Sequence, residues 1–356
     1  MNIREVARLA RVSTATVSRT INGSEKVSAE TAERVHNAIR KLKFYPNNNA
    51  RALGSGRSSL YGLIISDITN PFFPELVRSF EEIAVHYGQE VLTANTNYDP
   101  ARMETCVHRM LQRKVDGVAI LTSEMDKHLL SEFSAREIPV VFLDTGSPSE
   151  RVSNIQVDYA DGVSAAVRHL SDLGHTDIGF IHGPMNLASA RVRHRAFVSS
   201  LKRKGVEPAF IEEGDHRVAG GHDAMTRLLA RPVRPTAILA SNDLTAIGAM
   251  NAIFAHGLRV PEDISVIGFD DIELTSYIQP PLTTIRVSRT DIARTAFRAL
   301  FHLNQEAPPQ GAEYTIHPTL IERKSTGRVS PHTTPRKRKP SAESTTRVDK
   351  IETASI

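Results

Sequence analysis

Apolar positions in the first sixty residues recur at helical spacing in short bursts. Val6, Leu9 and Ala10 form a stripe that predicts a helix over Ile3–Ala10. Asn2 stands at its N-cap and Glu5 three residues on, a capping-box spacing. A turn at Arg11-Val12-Ser13 follows, then a second helix opening at Thr14 with Ser13 as its cap. Val12, Val17 and Ile21 continue the same small core. A third helix is expected over about 29–42, capped by Ser28, with Val35, Ala38, Ile39 and Leu42 on its apolar side. Phe44-Tyr45-Pro46 ends it, because the residue before proline avoids helical angles. Residues 47–53 allow one or two helical turns, too few to be stable without a partner, and Gly54 to Ser59 read as a flexible linker. Two short helices joined by a tight turn are built to lay the second helix in the DNA major groove. A generic small helical bundle would show the same periodicity.

From residue 60 the texture changes to short apolar runs alternating with amphipathic helices. Strands are expected at 61–66, 90–94, 117–121 and 140–143, and in a second set at 178–181, 237–240 and 265–268. Helices are expected at about 74–87, 101–113, 127–136, 160–173, 190–204, 220–230 and 243–256. In the first of these, Leu76, Phe80, Ile83, Ala84 and Tyr87 share one face. Such alternation means parallel sheets covered on both sides, and two sets mean two lobes. Polar residues gather where the strands end: Asp67, Asn70, Asn95, Thr122, Asp144, Asn242, Asp243, Asp270 and Asp271. Open parallel sheets bind ligands at the carboxyl ends of their strands. With Phe72 and Phe73 nearby, these groups suit a sugar, whose apolar face packs on aromatic rings while its hydroxyls pair with polar groups. Each Asp or Asn there is equally placed to cap the helix that follows.

Charge is segregated along the chain. Residues 1–60 carry a net +7, residues 328–356 a net +4, and the body between them a net −7. A localised basic module is the electrostatic footprint of phosphate binding. The 356 residues suffice for two or three domains. No apolar stretch approaches the roughly 20 residues that span a bilayer, and the N-terminus lacks a signal-peptide core. A cytoplasmic protein with no membrane contact is expected. Cys106 is the only cysteine, so no intrachain disulfide can form; it reads as a small buried hydrophobe.

Further stretches make a resemblance specific. Val6-Ala7-Arg8-Leu9-Ala10, Val12 to Arg19, Ala50-Arg51-Ala52-Leu53, Asn70-Pro71-Phe72-Phe73 and Val115-Asp116-Gly117 are joined by Leu173-Gly174-His175, Ser241-Asn242-Asp243, Gly268-Phe269-Asp270-Asp271 and Leu282-Thr283-Thr284-Ile285. In this order, from residue 2 to about 327, the chain resembles the LacI/GalR family of bacterial transcription repressors. Its body is similar to that of ribose-type members and, more remotely, to periplasmic ribose-binding proteins. The resemblance implies an all-α helix-turn-helix domain over 1–46 and a hinge helix and linker over 47–59. A bilobed periplasmic-binding-protein-like α/β body over 60–327 follows. Its N-lobe is expected at about 60–157 and 287–317, and its C-lobe at about 158–286 and 318–327. A disordered basic tail over 328–356 is expected from its Ser, Thr, Pro, Lys and Arg content.

The resemblance also implies roles. Thr14, Ala15 and Arg19 match positions facing base edges, Arg19 having bidentate capacity for guanine. Ser13, Thr16 and Tyr45 match phosphate-contacting positions, which set register. Leu53 matches the hinge leucine that wedges into the minor groove. For the effector, Asn70, Phe72, Phe73, Asp144, Arg193, Asn242 and Asp270 match pocket positions. Periodicity cannot choose Arg193 over its neighbours Arg191 and Arg195. Val287 and Thr145 depart from the ribose-type pattern and reduce the hydroxyl partners, and Gly54 follows the hinge leucine where many members carry a basic or small helical residue.

The expected function is a homodimeric regulator that binds palindromic operator DNA under control of a small effector. The effector is expected to be a monosaccharide such as ribose. The alternatives are a corepressor-dependent regulator sensing a purine or other metabolite and a sugar-transport binding protein. Neither a metal nor a cofactor is expected. Asp144-Thr145-Gly146 mimics an aspartic-protease motif, but no second such triplet occurs to share a proton with it. Phosphate-loop, His-Glu-x-x-His and Gly-x-Ser-x-Gly patterns are missing, so no enzyme is expected.

Overall fold

The computed structural model describes residues 2–21, 24, 26–44, 57–122, 127–305 and 309–330. Three helices open the chain: α1 (Ile3–Ala10), α2 (Thr14–Ile21) and α3 (Ala29–Leu42). The capping box of α1 is complete. Asn2 Oδ1 accepts from the N–H groups of Arg4 (3.0 Å) and Glu5 (3.1 Å), and Glu5 Oε2 accepts from Asn2 N–H (2.9 Å). Ser28 caps α3 through Thr31 N–H (3.4 Å). Both helices end on a left-handed residue, Arg11 (φ 54°) and Lys43 (φ 46°), whose N–H turns back to the last carbonyls.

Val6, Ala7, Ala10, Val17, Val35 and Ala38 form the core of this module, with Ile3, Val12, Ile21, Ile39, Leu42 and Phe44 packed against it. Leu9 is a correction: it is 44% exposed. The inward stripe of α1 runs through positions 3, 6, 7 and 10, which leaves position 9 at its margin. Tyr45 and the hinge segment with Leu53 and Gly54 lie outside the described residues, as does the basic tail from residue 331.

The rest of the chain forms two six-stranded sheets. The first is built from β1 (Leu60–Ile65), β2 (Glu90–Asn95), β3 (Gly117–Leu121), β4 (Val140–Leu143), β5 (Val152–Val157) and β11 (Glu313–Ile316), in the order β11-β5-β4-β3-β1-β2. Helices α4 (Phe72–His86), α5 (Pro100–Arg113) and α6 (Lys127–Ser134) connect its parallel members. The second contains β6 (Ile178–His182), β7 (Phe210–Glu213), β8 (Ala237–Ala240), β9 (Ser265–Asp270), β10 (Thr283–Arg286) and β12 (Thr319–Ile321), in the order β12-β10-β9-β8-β6-β7. It carries α7 (Tyr159–Asp172), α8 (Ala188–Arg203), α9 (Val218–Leu229) and α10 (Asp243–Ala255). Helix α11 (Arg289–Leu303) leads back towards β11. The central strands pair in parallel and are buried along nearly their whole length, as the continuous apolar runs required.

The sequence pattern missed β5, β7, β10, β11, β12 and α11. All of the missed strands but β5 are only three or four residues long, all mix Ser, Asn, Thr, Glu or Arg among their apolar residues, and β7, β11 and β12 lie at sheet edges, where periodicity is weak. Tyr87 sits one residue past α4 at the margin of the expected face: it is 45% exposed, yet its ring lies 5.1 Å from those of Phe297, which Phe80 also meets, and Phe301. Cys106 is buried beneath the first sheet, as a small hydrophobe should be, and burial pushes its thiol up. The packed chain also runs past residue 328, because Val329 N–H donates to Leu173 O (3.1 Å).

The chain divides into two compact units. One takes residues 1–67, 77–154 and 293–313; the other takes 68–76, 155–292 and 314–356. Among the described residues no helix is long and apolar enough to cross a membrane.

Candidate functional site

Helix α2 divides its residues cleanly. Val17 and Thr20 face the module's core, and Thr20 Oγ1 donates to Thr16 O (2.9 Å). Thr14, Ala15, Ser18 and Arg19 are exposed. The structure thus brings Thr14, Ala15 and Arg19 to the solvent side of one helix. Ser13 caps that helix by accepting from Thr16 N–H (3.1 Å), and the Ser13 and Thr16 hydroxyls lie 2.9 Å apart. Ser18, which sequence reasoning passed over, lies on the same exposed side.

In the second unit, polar groups converge at the carboxyl ends of β6, β8 and β9. Arg193 projects from α8 and donates to Ser241 O just past β8. Its guanidinium lies 4.7 Å from the ring centre of Tyr159 and 4.6 Å from that of Phe269, a double cation–π arrangement. Its neighbours are differently engaged: Arg191 binds Met185 O and Asn186 O in the preceding turn, and Arg195 is exposed. Of the three arginines, Arg193 is the one seated against the end of β8.

Asp270 ends β9 with a left-handed backbone (φ 115°), which costs a non-glycine residue strain and turns the chain sharply. Its own carbonyl and that of Asp271 accept from Arg289 (2.7 and 2.9 Å), which also pairs with Glu75 (2.7 Å). The same guanidinium lies 5.9 Å from the ring centre of Phe72. Phe72 and Phe73 meet edge to face, 5.3 Å apart, both buried. Asn70, Phe72, Phe73, Arg193, Asn242 and Asp270 therefore belong to one unit. Asp144 ends β4 in the other unit, half-buried and left-handed (φ 64°).

Several of these residues also hold the fold together. Asn70 Oδ1 accepts from Phe72 N–H (3.1 Å) at the start of α4. Asn242 caps α10 through Thr245 N–H (2.9 Å), while its Nδ2 donates to His216 O (2.9 Å). Asp243 is fully buried, with its oxygens on Thr284 Oγ1 (2.6 Å) and Ile272 N–H (2.8 Å), so it braces β9 against β10 and is no pocket carboxylate. Asp271 clamps Arg286 (2.7 Å) and Arg323 (2.6 Å). Burial pushes its carboxyl up, but the two arginines outweigh that and hold it below the usual range. Val287 is buried and Thr145 half-buried, its hydroxyl turned towards Leu143 O (3.4 Å).

Sequence reasoning missed Tyr159, His216, Arg289 and Glu75. His216 follows β7, so recognising that strand would have placed it at a carboxyl end. Arg289 and Glu75 carry no local signal. Electrostatics marks the group. Burial drives the Asp270 carboxyl up to about 7, opposed by Arg193 and Arg289. Burial drives His216 down to about 3, helped by Arg193 and His182. Among the described residues no cluster of three His, Cys, Asp or Glu could hold a metal ion.

These two groups oppose one another in acid. The unfolded chain protonates His216 near 6.5, while the folded chain resists to about 3, so stability is lost as pH falls below 6.5. The folded chain protonates Asp270 near 7, before the unfolded value of 3.8, so the same descent restores stability. His216→Phe leaves only the second effect. Relative to wild type, the variant should gain about 1.4 kcal/mol for each pH unit between roughly 6 and 4. Urea midpoints across that range provide the measurement, and parallel profiles would show that His216 is not held neutral.

Comparison with known proteins completes the picture. The family described as bacterial regulatory proteins, lacI family, matches residues 2–47, and the periplasmic binding protein-like domain matches residues 167–326. The chain is 34% identical over 328 residues to the HTH-type transcriptional repressor PurR of Pasteurella multocida, covering 91% of this chain and 98% of the relative. It is 35% identical over 328 residues to the ribose operon repressor of Escherichia coli K12, covering 91% and 99%. Its structure is similar to the lac repressor dimer bound to operator and the anti-inducer ONPF, with a TM-score of 0.83 and 32% identity over 92% of this chain and 99% of that one.

Proposed function

This chain belongs to the lacI family of bacterial regulatory proteins, and from that premise we propose that it binds a palindromic operator as a homodimer whose DNA affinity a monosaccharide controls. At the coarser level it is a DNA-binding transcriptional repressor with an effector domain, and its relatives are repressors, not enzymes. The observation that carries the DNA reading is the exposed side of α2, where Thr14, Ala15 and Arg19 stand together on a capped helix. Residues 1–46 are the DNA-binding domain, with Ser13, Thr16 and Tyr45 towards phosphates, and residues 47–59 are the hinge and linker, with Leu53 reading the minor groove. The repressor acts in the cytoplasm.

Val218 (41%), Phe254 (41%), Leu274 (46%) and Tyr277 (72%) are large hydrophobic residues exposed on the second unit, which supports self-association there. Arg193, Asp270, Phe72 and Phe73, with Asn70 and Asn242, form the effector set of the second unit, and Asp144 is the candidate of the first. Aromatic faces beside a cation and a carboxyl suit a pentose or similar sugar. The flat surfaces of Phe72, Phe269 and the Arg193 guanidinium suit a purine as well, which keeps corepression as the second reading. Either effector regulates by binding the DNA-competent and DNA-released states unequally.

The test begins with selection of a bound sequence from random duplex DNA, followed by calorimetric titration with D-ribose, other sugars and purines. A selected palindrome whose binding one of these ligands alters supports the proposal; selection of no sequence rejects it. Arg19→Ala should cost about 1–3 kcal/mol on the selected site and relax one base position in each half. An equal loss on every DNA sequence would remove Arg19 from base reading.

A further inference from the structure

Where the chain enters the first unit, one carboxylate holds two successive residues. Asp116 Oδ1 accepts from Ser58 N–H (2.8 Å) and Ser58 Oγ (2.9 Å), and Oδ2 accepts from Ser59 N–H (2.8 Å). Two backbone bonds reinforce the grip: Asp116 N–H donates to Leu60 O (2.7 Å) and Glu90 N–H to Ser59 O (2.8 Å). Beside it, Arg57 donates to Asn304 O (2.8 Å), and Asn304 Nδ2 donates to Asp116 O (2.9 Å) and Tyr61 Oη (3.1 Å). Ser59 is left-handed (φ 55°), a conformation unfavourable for serine that persists because its partners over-determine it. The next residue, Leu60, begins β1, which is flanked by β2 and β3 inside the first sheet.

We propose that Asp116 is the anchor that fixes where the DNA-binding segment leaves the effector-binding body, a positioning residue for sequence-specific DNA binding. The inference rests on the repressor reading above. Three charge-assisted bonds on consecutive residues set the direction of the departing chain, and they tie it to an interior strand rather than to a surface loop. Base reading needs the recognition helices held in one register and orientation. Phosphate attraction alone needs only the charge, so a loosened exit weakens specific binding while nonspecific binding persists.

The experiment uses the full chain and a duplex selected by the wild-type protein. A wild type that selects no sequence overturns the repressor reading, and the anchor with it. Asp116→Asn places an amide donor against the serine N–H groups. Its affinity for the selected duplex should fall about tenfold or more, with affinity for a scrambled duplex unchanged. Trypsin should also cut after Arg57 faster, because the Ser58 N–H is released. A purely structural role would lower the melting temperature and leave the ratio of the two affinities intact. Wild-type ratios in a folded Asp116→Asn protein, or equal losses on both duplexes, overturn the proposal. If that variant does not fold, Ser58→Ala removes a single donor and should lower the same ratio about threefold; an unchanged ratio there overturns it equally.

Discussion

Arg193→Ala is expected to weaken effector binding by about 2–3 kcal/mol, roughly 30- to 150-fold, the usual worth of a hydrogen bond from a charged donor. The side chain is held before any ligand arrives, lying over the rings of Tyr159 and Phe269 and bonded to Ser241 O, so little ordering cost remains to be met on binding. The variant carries a second signature that needs no ligand. Arg193 is among the causes that hold His216 near 3 and oppose the rise of Asp270 to about 7. Removing it should raise both, making the imidazole more basic and leaving the carboxyl protonated at neutral pH. Calorimetry with the effector found for wild type measures the first effect, and NMR titration of the His216 ring protons measures the second. Wild-type affinity in the variant would take Arg193 out of the effector site. An unmoved His216 would show that the guanidinium does not govern the local field.

Gly248→Val should damage the second unit more than any substitution in the site. Helices α9 and α10 approach so closely that a Cβ on Gly248 would lie 2.0 Å from Val218 O and 2.7 Å from His222 N. A Cβ on Gly221 would lie 2.2 Å from Thr245 O. The obstacles are backbone atoms, which cannot rotate aside, so the helices must part along a core that contains Ala224, Leu228, Ala249 and Ile253. Overpacking typically costs about 1–3 kcal/mol, and a clash with backbone belongs at or above the upper end. Against a typical stability of about 5–15 kcal/mol, that is enough to lower the urea midpoint visibly. Gly257→Ala is the comparison. Gly257 is left-handed (φ 70°) with no atom near its Cβ position, so it should cost only about 1 kcal/mol of backbone strain. Equal midpoints for the two variants would mean that the α9–α10 contact does not limit stability.

Periodicity and capping alone determined the three-helix module, the strand–helix alternation and the two sets of parallel strands. These depend on interactions between residues close in sequence: Asn2 with Glu5, Ser13 with Thr16, and apolar residues three or four apart. The motif residues in order also identified the family, because they recur as local strings. Leu9 and Tyr87 fit a local stripe yet came out exposed, since a stripe's margin is settled by the neighbour that covers it. Asn242 and Asp243 stood side by side as candidate ligand groups. Only the packed fold showed that Asn242 caps α10 and holds His216, while Asp243 braces two strands.

The seating of Arg193 at the end of β8, the Arg289–Glu75 pair and the burial of His216 were likewise tertiary decisions. So was the hold of Asp116 on Ser58, across 58 residues of sequence. Charge, desolvation and stacking act through space, and their partners are fixed only once the sheets bring distant strand ends together.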